Sequence, residues 1–104
     1  MKDEDFEIIK EKTPEGIRFT IKGRIDSINA SALEHKLEEA IKDKEHNIIL
    51  DMLYVEYLCS TGIRVILKTF KEAKEAGGKL GIESASERVR NVLGMVALDE
   101  MLIK

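Results

Sequence analysis

The stretch Asn47-Ile48-Ile49-Leu50-Asp51-Met52-Leu53-Tyr54-Val55-Glu56-Tyr57-Leu58-Cys59-Ser60-Thr61-Gly62 decides how the chain is read. Its opening, Ile48 to Met52, is a short, nearly continuous apolar run, the pattern of a central strand buried on both faces. After Met52 the pattern turns irregular through Tyr54, Val55, Tyr57 and Leu58. A helix starts near Ser60: Ile63, Ile66, Leu67 and Phe70 fall at i, i+3, i+4 and i+7, and the series continues to Ala73. Gly77-Gly78 is the stop signal. Lys79 to Ile82 is long enough only for a short strand. A strand, a helix and a second strand in this order make a βαβ unit, and with it a parallel pair.

Working towards the N-terminus, the helix before Ile48 spans roughly Ala30 to Asp43, with Leu33, Leu37, Ala40 and Ile41 as its apolar stripe. Ser31 with Glu34 fits a capping box at its start. Before it, Ile17, Phe19 and Ile21 alternate with Arg18, Thr20 and Lys22, which is the period of a half-buried strand. Thr13-Pro14-Glu15-Gly16 reads as a turn joining this strand to an earlier one, about Phe6 to Glu11. Towards the C-terminus, Ser84 or Ser86 caps a third helix with a stripe of Val89, Val92, Leu93 and Val96. Met101-Leu102-Ile103 fits an edge strand or a helical turn. The order β-β-α-β-α-β-α predicts an α/β fold. Its mixed sheet opens with a hairpin and is otherwise mostly parallel, with helices packed on it, in a single domain over 1–104.

The composition sets the outer bounds. Apolar residues are 43% of the 104, so a core is within reach and disorder is not expected. Charged residues are 36% with a net charge of −3, which gives no general attraction to nucleic acid or anionic lipid. Tryptophan is absent and aromatics are 5%, too few for a base-stacking platform. The first twelve residues are charged and lack the apolar core of a signal peptide, and no run reaches the roughly 18 apolar residues that span a bilayer. A cytoplasmic protein is expected. One cysteine, Cys59, rules out an internal disulfide or a Cys-rich zinc site. His35 and His46 have no metal-ligand partner at useful spacing, and no glycine-rich nucleotide loop is present. No cofactor and no metal are expected.

Candidate chemistry concentrates on Cys59-Ser60-Thr61-Gly62. Ser60 is of a type favoured at a helix start, where its hydroxyl can accept from the N–H of Gly62 or Ile63. Glycine at 62 leaves the backbone uncovered, and the helix end favours an anion. A phosphate on Ser60 or Thr61 would sit in that field. An ordinary cap is the plainer account of Ser60. Cys59 precedes a helix start, where thiolates are stabilised, and Cys59-x-x-Gly62-x-Arg64 is similar to the loop of rhodanese-type sulfurtransferases. A small, partly buried apolar residue is the plainer account of it.

The stretch Asn47 to Ile66 resembles the STAS-domain anti-sigma factor antagonists, in which a strand leads into an Asp-Ser-Ser-Gly or Asp-Ser-Thr-Gly turn that opens a helix. Ile21-Lys22-Gly23-Arg24-Ile25-Asp26 looks like the family's Gly-Glu-Leu/Ile-Asp element. Gly77-Gly78-Lys79-Leu80 and Glu87 to Leu98 resemble its fourth strand and third helix. The resemblance runs from about Phe6 to Ile103. It implies a non-catalytic bacterial partner-switching module. Such a module binds an anti-sigma factor that is also a serine kinase, is released when Ser60 is phosphorylated, and is restored by a phosphoserine phosphatase. Thr61 is the second choice of acceptor. Asp26, Cys59, Thr61, Gly62 and Arg64 are the implied partner-binding residues, and a monomer is favoured. Asp26 also fits an Asx turn into the first helix. Arg64 is either a solvated helix position or a cation for a phosphate or an acidic partner. Two departures stand out: Cys59 replaces the family's usual aspartate, and Arg64 a frequent glycine. An alternative is therefore a STAS interaction module without the phosphorylation switch.

Overall fold

The computed structural model describes residues 6–95 and 102–103. Two short strands, β1 (Glu7–Lys12) and β2 (Ile17–Ile25), form the expected antiparallel hairpin, with Lys12 opposite Ile17. Its turn closes where proline and glycine predicted. Thr13 N–H donates to Gly16 O at 2.9 Å, and Gly16 N–H reaches Thr13 Oγ1 at 3.0 Å. Helix α1 (Ser27–Lys42), strand β3 (Asn47–Leu58), helix α2 (Ser60–Glu75), strand β4 (Lys79–Glu83), helix α3 (Glu87–Met95) and strand β5 (Leu102–Ile103) follow. The sheet order is β1-β2-β3-β4-β5, antiparallel only between β1 and β2. Of the two readings of the tail, Leu102–Ile103 is strand, parallel to β4. Val96 lies outside the described residues.

Period two decides which face of the sheet is covered. Ile17, Phe19, Ile21 and Ile25 of β2 are fully buried, with Ile48, Leu50 and Met52 of β3 and Leu80 and Ile82 of β4. Against them lie Ala30, Leu33, Leu37 and Ala40 of α1 and Val65, Ile66 and Ala73 of α2, and Val89 of α3 joins the same core. The opposite face carries Arg18, Thr20, Lys22 and Arg24 and is left uncovered by these helices.

Three expectations need correction. Helix α1 begins a turn earlier than Ala30, so Ser31 and Glu34 do not cap it. Its cap is Asp26, whose Oδ1 accepts from Asn29 N–H at 2.8 Å. Asn29 is only 5% exposed, and its Nδ2 donates to Arg24 O at 2.7 Å, tying the first turn to the end of β2. Strand β3 runs on to Leu58 instead of ending near Met52. Its second half carries two extra residues relative to β2, with register shifts between Thr20 and Lys22 and between Gly23 and Arg24. Such bulges break the alternation on which a strand is recognised. Strand β2 likewise continues past Lys22 to Ile25.

Both long helices end in Schellman motifs. In α2, Gly78 N–H bonds Ala73 O at 2.8 Å and Gly77 N–H bonds Lys74 O at 3.1 Å, with Gly77 at φ +89°. In α1 the same two bonds run from Glu45 to Ala40 O and from Lys44 to Ile41 O, but the left-handed residue is Lys44, at φ 65°. Helix α3 starts at Ser86, whose Oγ accepts from Val89 N–H at 3.3 Å. Ser84, the other candidate cap, sits at φ 61°.

Candidate functional site

The candidate residues meet where β2 and β3 end. Ile25 and Leu58 are register partners on the last rung of the parallel pair, and Cys59 N–H extends that ladder by donating to Ile25 O at 3.0 Å. Asp26 follows Ile25 and caps α1, while Ser60 follows Cys59 and opens α2. Both helices thus start from one edge of the sheet, and their caps are adjacent to one rung. In place of the Asx turn expected there, Asp26 accepts from the N–H three residues on and is the N-cap of α1.

Cys59, not Ser60, is the cap of α2. Its backbone is extended, its Sγ accepts from Gly62 N–H at 3.4 Å, and its carbonyl accepts from Ile63 N–H at 3.0 Å. The expected bond from the Gly62 or Ile63 amide to the Ser60 hydroxyl is therefore replaced. Ser60 is the first helical residue, and its side chain is exposed. Thiol sulfur is a weak acceptor, so this end of the helix is capped less firmly than the Asp26 end of α1.

Gly62 is buried, contrary to the expectation of an uncovered backbone. A Cβ there would stand 2.7 Å from Ile25 Cγ2 and 2.8 Å from Leu58 Cδ1. Glycine is needed for close approach: it lets the first turn of α2 settle on the final rung. Thr61 is half-buried beside it. Arg64 is exposed one turn along, and the first turn of α2 contains no acidic residue. A cation at the positive end of a helix is unfavourable by itself. Further along, Lys68 reaches Glu34 and Glu38 of α1, each at 3.3 Å, and pins the two helices together.

The sequence reading gave no role to Asn29, Ile25 or Leu58, yet these hold the site in shape. The one available signal was the pair Asp26 and Asn29, a cap followed by a short amide on the first turn. The sulfurtransferase reading fails on geometry. Residues 60–75 are helix, so the backbone after Cys59 does not wrap around the sulfur, and among the described residues only Gly62 N–H bonds it. Among the described residues no three His, Cys, Asp or Glu side chains converge as metal ligands, and no helix is long and apolar enough to cross a membrane.

Residues 7–104 match the model of the STAS domain. The anti-sigma-B factor antagonist of Bacillus subtilis is 31% identical over 86 residues, covering 83% of this chain and 78% of that protein. Among solved structures, the anti-sigma factor antagonist SpoIIAA in its unphosphorylated form superposes with a TM-score of 0.82 at 20% identity, covering 94% of this chain and 85% of that one. The phosphorylated form of the Bacillus cell fate determinant SpoIIAA gives a TM-score of 0.76 at 19% identity, covering 94% and 88%. With its hairpin-led mixed sheet and the helix that springs from the end of β3, the chain belongs to the STAS domain family.

Proposed function

We propose that this chain is an anti-sigma factor antagonist, a non-catalytic module that binds an anti-sigma factor and is switched by phosphorylation of Ser60. The observation that carries the reading is the position of Ser60: exposed, first in α2, one residue beyond the rung that joins β2 to β3. A phosphate there adds about −1.5 to −2 charges at the positive end of a helix. The fold around it is tied down by Asp26, Asn29 and Gly62, so the added charge alters the surface that a partner meets. The similarity to the B. subtilis antagonist supports the choice of partner. SpoIIAA, whose fold this chain shares, occurs in both unphosphorylated and phosphorylated forms, which supports the choice of switch.

In this reading the partner is both anti-sigma factor and serine kinase and brings its own ATP, while a phosphoserine phosphatase resets the module. Asp26, Cys59, Thr61, Gly62 and Arg64 form or support the docking surface, and Thr61 is the second acceptor. The protein works in the cytoplasm of a bacterium, as a single STAS domain and a monomer. Incubation with the cognate kinase and ATP, followed by mass spectrometry, is expected to find one phosphate on Ser60. Ser60→Asp is expected to weaken partner binding and Ser60→Ala to preserve it. Modification elsewhere only, or equal affinities of the two variants, would overturn the switch.

One observation favours a second reading. The α2 cap is a thiol where the family's turn usually has a carboxylate, and the first turn of α2 contains no acidic residue. A constitutive interaction module follows if no kinase modifies Ser60 and Cys59→Asp restores modification.

A further inference from the structure

The sheet face turned away from α1 and α2 divides into two halves of different character. At its inner end Arg18 pairs with Asp51 at 3.1 Å and also with Glu83, so its one positive charge is shared between two carboxylates and this end is net acidic. At its outer end lie Lys22 and Arg24, in register with Tyr54 and Tyr57. Among the described residues neither cation forms an ion pair with a carboxylate. Glu7 stands opposite Lys22 in the hairpin register without forming one. Each cation rests on an aromatic ring instead: Lys22 Nζ lies 5.5 Å from the Tyr54 centroid and the Arg24 guanidinium 4.4 Å from that of Tyr57. The rings stay open to solvent, Tyr54 at 54% and Tyr57 at 38%, with Leu53 beside them at 49%. The two bulges of β3 fall in this same segment, and bulges re-aim side chains.

We propose that this outer half of the open face, built from Lys22, Arg24, Tyr54 and Tyr57, docks an extended acidic segment of a partner protein. Tyrosine and arginine in contact, partly desolvated and ringed by polar positions, is the composition of protein-binding hot spots. Lys22 and Arg24 are alternate residues on one face of a strand, so their side chains leave the sheet roughly 7 Å apart. Acidic side chains at alternate positions of an extended segment repeat at that same spacing. The rest of the face argues against a nucleic acid strand: Asp51 and Glu83 lie at its inner end, Glu7 on β1, and the whole chain carries −3. Its Arg24–Tyr57 pair stands one rung before the Ile25–Leu58 rung from which the Ser60 turn departs, but its side chains leave the sheet on the face opposite α1 and α2.

The test uses the chain of residues 1–104, isotope-labelled for NMR, and a capped heptapeptide alternating glutamate and threonine as the probe. Saturable shifts clustered at 22–24 and 54–57 are expected. Affinity is expected to fall about tenfold for Lys22→Gln with Arg24→Gln, and to fall when salt is raised from low to physiological strength. Lys36→Gln, an exposed change on α1, is expected to bind as the native chain does. Thermal melting of the double variant checks that it remains folded. The proposal is overturned by an absence of saturable shifts, or by equal binding of a glutamine-for-glutamate peptide. Tighter binding of oligothymidylate at the same residues overturns it in favour of nucleic acid. Concentration-dependent broadening at Tyr54 and Tyr57 without peptide overturns it in favour of self-association.

Discussion

Replacing Gly62 with alanine tests the seating of α2 on the sheet. The added Cβ would lie 2.7 Å from Ile25 Cγ2 and 2.8 Å from Leu58 Cδ1. Apolar carbons settle at about 3.5–4.0 Å, so each contact is short by roughly 0.8 Å. Leu58 can swing its terminal methyl aside. Ile25 cannot do so readily, because it is fully buried and its branched Cβ restricts χ1. Relief therefore requires the first turn of α2 to lift. Overpacking of this kind costs about 1–3 kcal/mol, and the helix preference of alanine over glycine returns up to about 1 kcal/mol, less in a first turn. A net loss of about 1–2 kcal/mol is expected, which lowers the melting temperature by on the order of 5–10 °C for a domain this size. Thermal unfolding followed by circular dichroism measures it. The change should cost less in an Ile25→Ala background, which removes the Cγ2 contact, with a coupling of about 0.5 kcal/mol or more. An unchanged or raised melting temperature, or equal costs in both backgrounds, would refute the close-approach argument.

Asp26→Ala should destabilise by about 1 kcal/mol in denaturant unfolding, and Asp26→Asn by only a few tenths, because asparagine caps nearly as well. Lys44→Gly should stabilise by about 0.5–1 kcal/mol in the same measurement, since Lys44 occupies a left-handed position at the end of α1 that glycine adopts without a steric penalty. The Lys68 ammonium is held above its usual value by hydrogen bonds to Glu38 and Glu34. A group raised on folding contributes fully below its unfolded value of about 10.4 and loses that contribution as pH rises through the folded value. Unfolding midpoints of the native chain and Lys68→Met should therefore differ by a constant amount below about pH 10.4 and begin to converge only above it, and a difference that stays constant at higher pH would count against the pin.

The sequence made the order of the main elements legible because their patterns are strong. The alternation of Ile17, Phe19 and Ile21 survives as the buried side of β2, and the stripe Leu33, Leu37 and Ala40 as the buried side of α1. Where sequence reasoning failed, tertiary contacts had overridden local signals. The bulges that let β3 carry Tyr54 and Tyr57 on the open face erase its period. Ser31 and Glu34 look like a cap, but Asp26 is preferred because Asn29 ties the turn to Arg24 O. The site was visible as a location, since Ser60 to Gly62 opens a helix after a strand. Its construction was not, because the contact of Gly62 with Ile25 joins residues far apart in sequence.

That distance has a consequence for when the protein becomes competent. The bond from Cys59 N–H to Ile25 O closes a loop that contains all of α1 and all of β3. Non-local pairings of this kind form late and slowly compared with helix turns. A nascent or partly unfolded chain therefore lacks the shaped surface around Ser60 even though it already contains the serine. Under the proposed function, competence to bind through the Ser60 turn follows completion of the β2–β3 crossover.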